Sequence, residues 1–302
     1  MEQNIGGIIS ELYEIWKVNH KYWPSSKDKS HLEFELMNFD PTSERQIELV
    51  SELCILVKSG EWQMNYEVLR SLFPDQDLDI DLAEEIKIYF SGAGYSSAEY
   101  DEYIQTQRNP FILELLSHVM LLSIENHEAC NPYKLILQGI HYMHLSSKKQ
   151  GLDLAAIAQE SNGEYYLIIG ESKNRKVPSD GTKEALEAFR SFDSGQKWPD
   201  IRQVMKAVAN SFENPNDRLS AKISKHILWE KKIIYRLTIE HRSLKPKDGS
   251  QFRDFKSSTP NVGSEIFRQC EAISTKRLDD FYDDVSNKVL EIIENRGSFS
   301  NV

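Results

Sequence analysis

The chain has 302 residues, 40% of them hydrophobic and 27% charged, with a formal net charge of −11. This is the composition of a globular protein, long enough for one large core or two domains. The acidity argues against a nucleic-acid binder acting by charge alone, and no apolar run approaches the ~20 residues of a membrane span.

The charge is unevenly placed. Residues 1–107 hold 8 Lys and Arg against 21 Asp and Glu, whereas residues 108–302 hold 28 against 26. Two units are therefore expected: an acidic, helical N-terminal module over 1–107 and a nearly neutral domain over 108–302 that has room for a local basic face. The start, MEQNIGG, lacks a basic n-region, so no secretory signal is expected. Cys54, Cys130 and Cys270 are an odd number of widely spaced cysteines without metal-ligand spacing, which suits a reducing cytoplasm.

Two segments of the first unit, IGGIISELYEIWKVNH and SERQIELVSELCILVKSG, place apolar residues at helical spacing. The second carries a capping-box pair, Ser43 and Gln46, and a stop at Gly60. WKVNHKYWPSSKDKSH between them reads as a loop. DQDLDIDLAEE puts Asp75, Asp77 and Asp79 at the first, third and fifth positions of a calcium loop. Ile80 then stands where that loop needs Gly, and Ile86 where it needs Glu. A solvated acidic lead into a helix from Leu82 is the reading. SGAGYSSAEY has neither the spacing nor the lysine of a phosphate loop and reads as a plain loop.

A boundary is expected at Thr106–Pro110, with Pro110 in the first turn of a helix. PFILELLSHVMLLSIENH is apolar on most sides, with Glu114 and Ser117 as polar exceptions. A buried carboxylate there is costly without a partner or a metal, while a solvated position at the helix edge removes that cost. YKLILQGIHYMHL reads as a strand, which sets His141 and His144 on opposite faces and makes them a poor metal pair.

LDLAAIAQESNGEYYLIIGESK then reads as a hairpin turning at Asn162–Gly163. GTKEALEAFRSF and DIRQVMKAVANSF are helical, Ile233–Ile239 is a strand, and NVGSEIFRQCEAIS and RLDDFYDDVSNKVLEIIENR are amphipathic helices. The whole is α/β, with a mixed central sheet flanked by helices and an α-helical N-terminal module.

Alternation sets Glu171 and Lys173 on one face of the second hairpin strand and Ser172 on the other. With the turn centred between Asn162 and Gly163, position 153 faces position 172. Asp153 is thus opposite or diagonal to Glu-Ser-Lys. The Asp153 and Glu171 carboxylates and the main-chain carbonyl of Ser172 form an oxygen set for a hard cation, Mg²⁺ or Mn²⁺. Such a cation lowers the pKa of water and stabilises charge at phosphorus, and Lys173 stands ready to orient water and offset that charge. The same residues also read as a cross-strand ion pair of Asp153 and Lys173 beside an exposed Glu171. Lys148, Lys149, Lys173, Arg175 and Lys176 gather at this end, as a phosphate track or as a solvated rim.

The order Asp153, Glu171, Lys173 resembles the signature of the PD-(D/E)XK nuclease superfamily. Leu152 stands where that family carries a proline. The resemblance implies a restriction-endonuclease-like fold and a metal-dependent phosphodiester hydrolase acting on nucleic acid, with DNA the expected substrate. It also implies that Glu114, on the preceding helix, assists as a further carboxylate. LIIGESKNR before a helix, with IYRLTIEH as a late strand, is similar more narrowly to the HamA-like nuclease subunit of Hachiman-type anti-phage systems. That resemblance covers roughly 109–302 and implies a helicase partner that restrains the nuclease. A catalytically silent nuclease fold serving as a binding subunit, and an unrelated small-molecule α/β enzyme, are the competing expectations.

Overall fold

The computed structural model describes residues 5–23, 30–59, 78–126, 134–140, 152–175, 177–197, 232–242 and 250–297. Gly60, Asp75, Asp77, Cys130, His141, His144, Lys148, Lys149, Lys176 and the expected helix at 200–212 lie outside them. The elements run α1 (Ile5–Trp16), β1 (Val18–Trp23), β2 (His31–Leu36), α2 (Glu44–Lys58), α3 (Leu78–Ser91), α4 (Ser97–Tyr103) and, after a π-helical turn (Ile104–Arg108), α5 (Asn109–Asn126). They continue with β3 (Ile136–Ile140), β4 (Leu154–Gln159), β5 (Tyr165–Arg175), α6 (Pro178–Asp193), β6 (Ile233–His241), β7 (Arg268–Ser274) and α7 (Leu278–Gly297).

The fold is α/β, a seven-stranded mixed sheet flanked by helices, in the order β1-β2-β7-β6-β5-β4-β3. The central neighbours β2, β7, β6 and β5 are parallel, and hairpins β1–β2 and β4–β5 with β3 extend it antiparallel on both sides. Several stretches depart from the sequence reading. The segment Trp16–His31 is not simply a loop: Val18–Trp23 is a strand, and β2 starts at His31 and joins the sheet beside β7. Helix α3 begins at Leu78 rather than Leu82, and the SGAGYSSAEY stretch is helical from Ser97, where Glu99 accepts from both the Ser96 hydroxyl and its backbone N–H.

A further departure is β7. NVGSEIFRQCEAIS reads as a helix because Ile266, Cys270 and Ile273 fall at helical spacing. Arg268–Ser274 instead threads between β2 and β6. Its polar side chains are buried but partnered: Arg268 donates to the Thr259 and Val262 carbonyls, Gln269 accepts from Arg236, and Glu271 accepts from Thr238 and pairs with Arg236 at 2.8 Å. Pairing of that kind is what makes polar residues tolerable in a core strand.

Alternation gives the sheet two packed faces. One carries Leu32, Phe34, Ile168, Ile234 and Ile273 against α1, α2, α5 and α7. The other carries Leu167, Ile169, Leu237 and Ile239 against α6, whose Ala185, Leu186, Phe189 and Phe192 form its apolar stripe. At the start of α2 the Ser43 side chain accepts from Gln46 N–H, while the Gln46 side chain accepts from the Trp16 indole at 2.8 Å instead of closing the box. Among the described residues no helix is long and apolar enough to cross a membrane.

Candidate active site

The hairpin supplies the frame. A five-residue turn, Glu160–Glu164, joins β4 to β5; Glu160 and Gly163 close it by backbone bonds, with Gly163 at φ 84°. It is centred on Asn162, half a residue earlier than the sequence suggested. Leu154 therefore pairs with Gly170, and Asp153 continues the register opposite Glu171 rather than Ser172. The one-residue difference has a chemical result. The Ser172 N–H, past the last rung of the ladder, donates to Asp153 Oδ2 at 2.8 Å. In an extended strand a residue's N–H and C=O leave by the same edge, so the Ser172 carbonyl projects toward Asp153 as well.

On the α6 face, Lys173 Nζ lies 2.6 Å from Glu171 Oε2 and 3.4 Å from Asp153 Oδ2. The two carboxylates thus converge on one ammonium. Glu171 has only 10% of its side chain exposed. Burial first, and then the Asp153 carboxylate, push its pKa up to about 7 against the pull of Lys173. Burial draws the Lys173 ammonium down, but Asp153 and Glu171 outweigh it and hold its pKa above the ordinary value.

On the opposite face, Ser172 reaches helix α5. Its hydroxyl meets that of Ser117 at 2.7 Å, and Ser117 donates in turn to the Leu113 carbonyl. Ser117, a polar exception in the sequence, is thus a strut between helix and strand. Glu114 lies one turn back on α5 and faces a cavity of about 840 Å³ whose wall also includes Asp153, Ser172 and Lys173. The π-helical turn before α5 forms part of the wall; such turns recur at functional sites because they re-aim side chains.

Of the residues singled out in the sequence, Glu114, Asp153, Glu171, Ser172 and Lys173 gather at one end of the sheet, with unequal closeness. Asp153, Glu171, Ser172 and Lys173 touch; Glu114 shares their cavity but, among the described residues, joins no group of three acidic or metal-ligating side chains. Arg175 of the expected basic rim is committed to Glu184 through two hydrogen bonds. Sequence reasoning passed over Arg108, Asn174 and Arg242, which also line the cavity. Asn174 had a readable signal, since it lies two residues beyond Ser172 on the same face. Arg242 had none, because only the parallel β5–β6 register brings the end of β6 beside the site.

The donor chemistry suits a hard divalent cation. Two carboxylates repel across a partly dry space, beside the main chain of Ser172. Mg²⁺ is bound through one or two carboxylates and keeps several waters, so Asp153, Glu171 and the Ser172 carbonyl are a sufficient set. The chain matches no known family model and no curated protein. The site's chemistry is therefore the basis for a functional reading.

Proposed function

We propose that the chain is a divalent-cation-dependent nuclease that cleaves DNA. The observation that carries this reading is the convergence of Asp153 and Glu171 on Lys173 within 3.4 Å, where Asp153 and Lys173 line a cavity that Glu114 also faces. Asp153, Glu171 and the Ser172 carbonyl would hold Mg²⁺ or Mn²⁺, which supplies Lewis acidity at phosphorus and a water of lowered pKa. Lys173, charged and pinned between the carboxylates, orients water and offsets charge that develops on the phosphate. Glu171, with a pKa near 7, loses its proton readily in the neutral range. Glu114 serves as an outer carboxylate.

The narrower reading is an effector subunit of a bacterial anti-phage defence complex, held in check by a helicase partner. Its support is the resemblance of the Gly-Glu-Ser-Lys region and the acidity of residues 1–107, which disfavours unaided DNA binding. The buried cysteines Cys54 and Cys270 accord with a cytoplasmic setting. A second reading is favoured by one feature of the same cluster. Lys173 satisfies both carboxylates, as it would in a silent nuclease fold kept as a binding subunit.

A cleavage assay on plasmid and single-stranded DNA separates them. It compares Mg²⁺ or Mn²⁺ with EDTA, and wild type with the Glu171→Ala/Lys173→Ala variant, alone and co-expressed with its genomic neighbours. Metal-dependent cutting lost in the variant supports the nuclease. No cutting in any arm, with biological activity kept in the variant, supports the silent fold.

A further inference from the structure

Two arginines face the cavity from outside the catalytic cluster, and both are held by one helix. Arg108, at the end of the π-helical turn, has 3% of its side chain exposed and donates from Nη2 to Asp283 Oδ1 at 2.5 Å. Arg242, just past β6, donates from Nε to Asp279 Oδ2 at 2.6 Å, and its Nη2 bonds Asp279 Oδ1. Asp279 and Asp283 are four residues apart on α7, so they share one helix face.

The two pairs are alike in a way that bears on function. In each the cation is the more buried member, 3% and 27% exposed, and the anion stands in solvent, 58% and 57% exposed. Water competes for an exposed carboxylate, so in each pair the aspartate is the member more readily exchanged for another anion. The fork on Asp279 is bidentate, which is also the geometry by which guanidinium grips a phosphate. Arg242 is further aimed by the Asn174 Oδ1, which accepts from its Nη1 at 3.1 Å, and Asn174 follows Lys173 directly on β5. The aspartates are thus the solvent-facing, exchangeable members of the two pairs, while the protein positions the arginines firmly.

We propose that Arg108 and Arg242 form a phosphate-binding subsite of the cavity, and that Asp283 and Asp279 fill it as built-in anions until a phosphate takes their place. For the identity of its ligand, a phosphodiester of a nucleic-acid strand, the proposal rests on the nuclease reading above. With the aspartates in place the walls are close to charge balance, because Arg108, Lys173, Arg175 and Arg242 face Glu114, Asp153, Asp279 and Asp283. Release of α7's two carboxylates leaves an excess of positive charge at the distance of one short step from the cluster. The device restrains unspecific binding and lets a strand that reaches the cluster gain both arginines.

The test measures affinity in EDTA, so that no cleavage intervenes, with two probes: inorganic pyrophosphate by calorimetry and a labelled oligonucleotide by anisotropy. The full chain is compared with Asp279→Asn/Asp283→Asn and with Arg242→Lys. The asparagine variant is expected to bind pyrophosphate at least tenfold more tightly than wild type, and the lysine variant, which keeps the charge but loses the fork, to bind it several-fold more weakly. Asp279 lies in the first turn of α7, where its charge supports the helix. If the double variant fails to fold, Asp283→Asn alone carries the comparison. Unchanged, weaker or undetectable pyrophosphate binding in the folded asparagine variant overturns the subsite. Tighter pyrophosphate binding in a chain that cuts no DNA in any arm of the cleavage assay, co-expression included, keeps the subsite and removes the nuclease reading. Metal-dependent cleavage in that assay, with pyrophosphate binding unmoved by the asparagines, does the reverse.

Discussion

The hydroxyls of Ser117 and Ser172 meet at 2.7 Å, joining the middle of helix α5 to the strand residue between Glu171 and Lys173. Ser117 spends its proton on the Leu113 carbonyl, so Ser172 is the donor of the pair. The contact sets how far α5, with Glu114, stands from the carboxylate cluster. Ser117→Ala leaves the Ser172 hydroxyl partly buried without this acceptor. The expected loss is about 1 kcal/mol, with a comparable coupling in a double-mutant cycle with Ser172→Ala. Urea unfolding of the four proteins measures it, and a coupling near zero would show that the contact does not hold the helix.

Glu171 makes stability depend on pH in a definite direction. Its folded pKa near 7 lies above the ordinary value of 4.5. Between those values the folded protein retains a proton that the unfolded chain has released. Its contribution is therefore fully present below about pH 4.5 and is lost as pH rises through about 7. Glu171→Gln has no such proton. From about pH 5 to about pH 8 wild type should lose stability relative to this variant, as chemical denaturation at several pH values would reveal. A bound divalent cation favours the ionised carboxylate and draws the folded pKa back toward 4.5, so added Mg²⁺ should shrink the loss.

Helix α6 approaches β5 so closely that a Cβ on Gly181 would lie 3.0 Å from Lys173 Cβ and 3.2 Å from Arg175 Cγ. Gly181→Ala gains about 1 kcal/mol of helix propensity and meets that contact in return. The two effects oppose each other in stability, but only the contact moves Lys173. On the nuclease reading proposed above, the expected variant has nearly wild-type stability and a cleavage rate reduced several-fold. Parallel thermal melts and rates test this; a variant with unchanged rate would mean that Lys173 tolerates the shift.

A buried ion pair stiffens the centre of the sheet. Arg236 and Glu271 are both fully buried and 2.8 Å apart. Burial raises the Glu271 pKa, and Arg236 with the Thr238 hydroxyl opposes the rise. Arg236→Met removes the cation and strands the carboxyl, a change that costs about 3–5 kcal/mol. Arg236→Met/Glu271→Leu should recover much of that loss, since both polar groups are then gone. Denaturation midpoints give the comparison.

Local pairing was the legible part of this chain. Asn162–Gly163 between two β-rich runs marks the β4–β5 hairpin, and alternation puts Glu171 and Lys173 on one face. The apolar helix with Glu114 and Ser117 was equally clear. Strands β1 and β7 were not. Val18–Trp23 is short and polar, a sheet-edge strand without an apolar run to mark it. Arg268–Ser274 carries Gln269 and Glu271, whose partners Arg236 and Thr238 stand 33 positions away, so its burial cannot be inferred before pairing is known.

By itself the sequence determined which groups stand at the end of the hairpin, because antiparallel neighbours within about twenty residues are specified by turn chemistry and period-two alternation. Only the tertiary structure decided what surrounds them. The parallel neighbour β6, helix α7 and the turn before α5 reach the cavity through long connections, so no local pattern encodes their meeting. That is why Asp153, Glu171 and Lys173 were visible as a string of letters, whereas Arg108 and Arg242, each held by an aspartate of α7, became visible only in the fold.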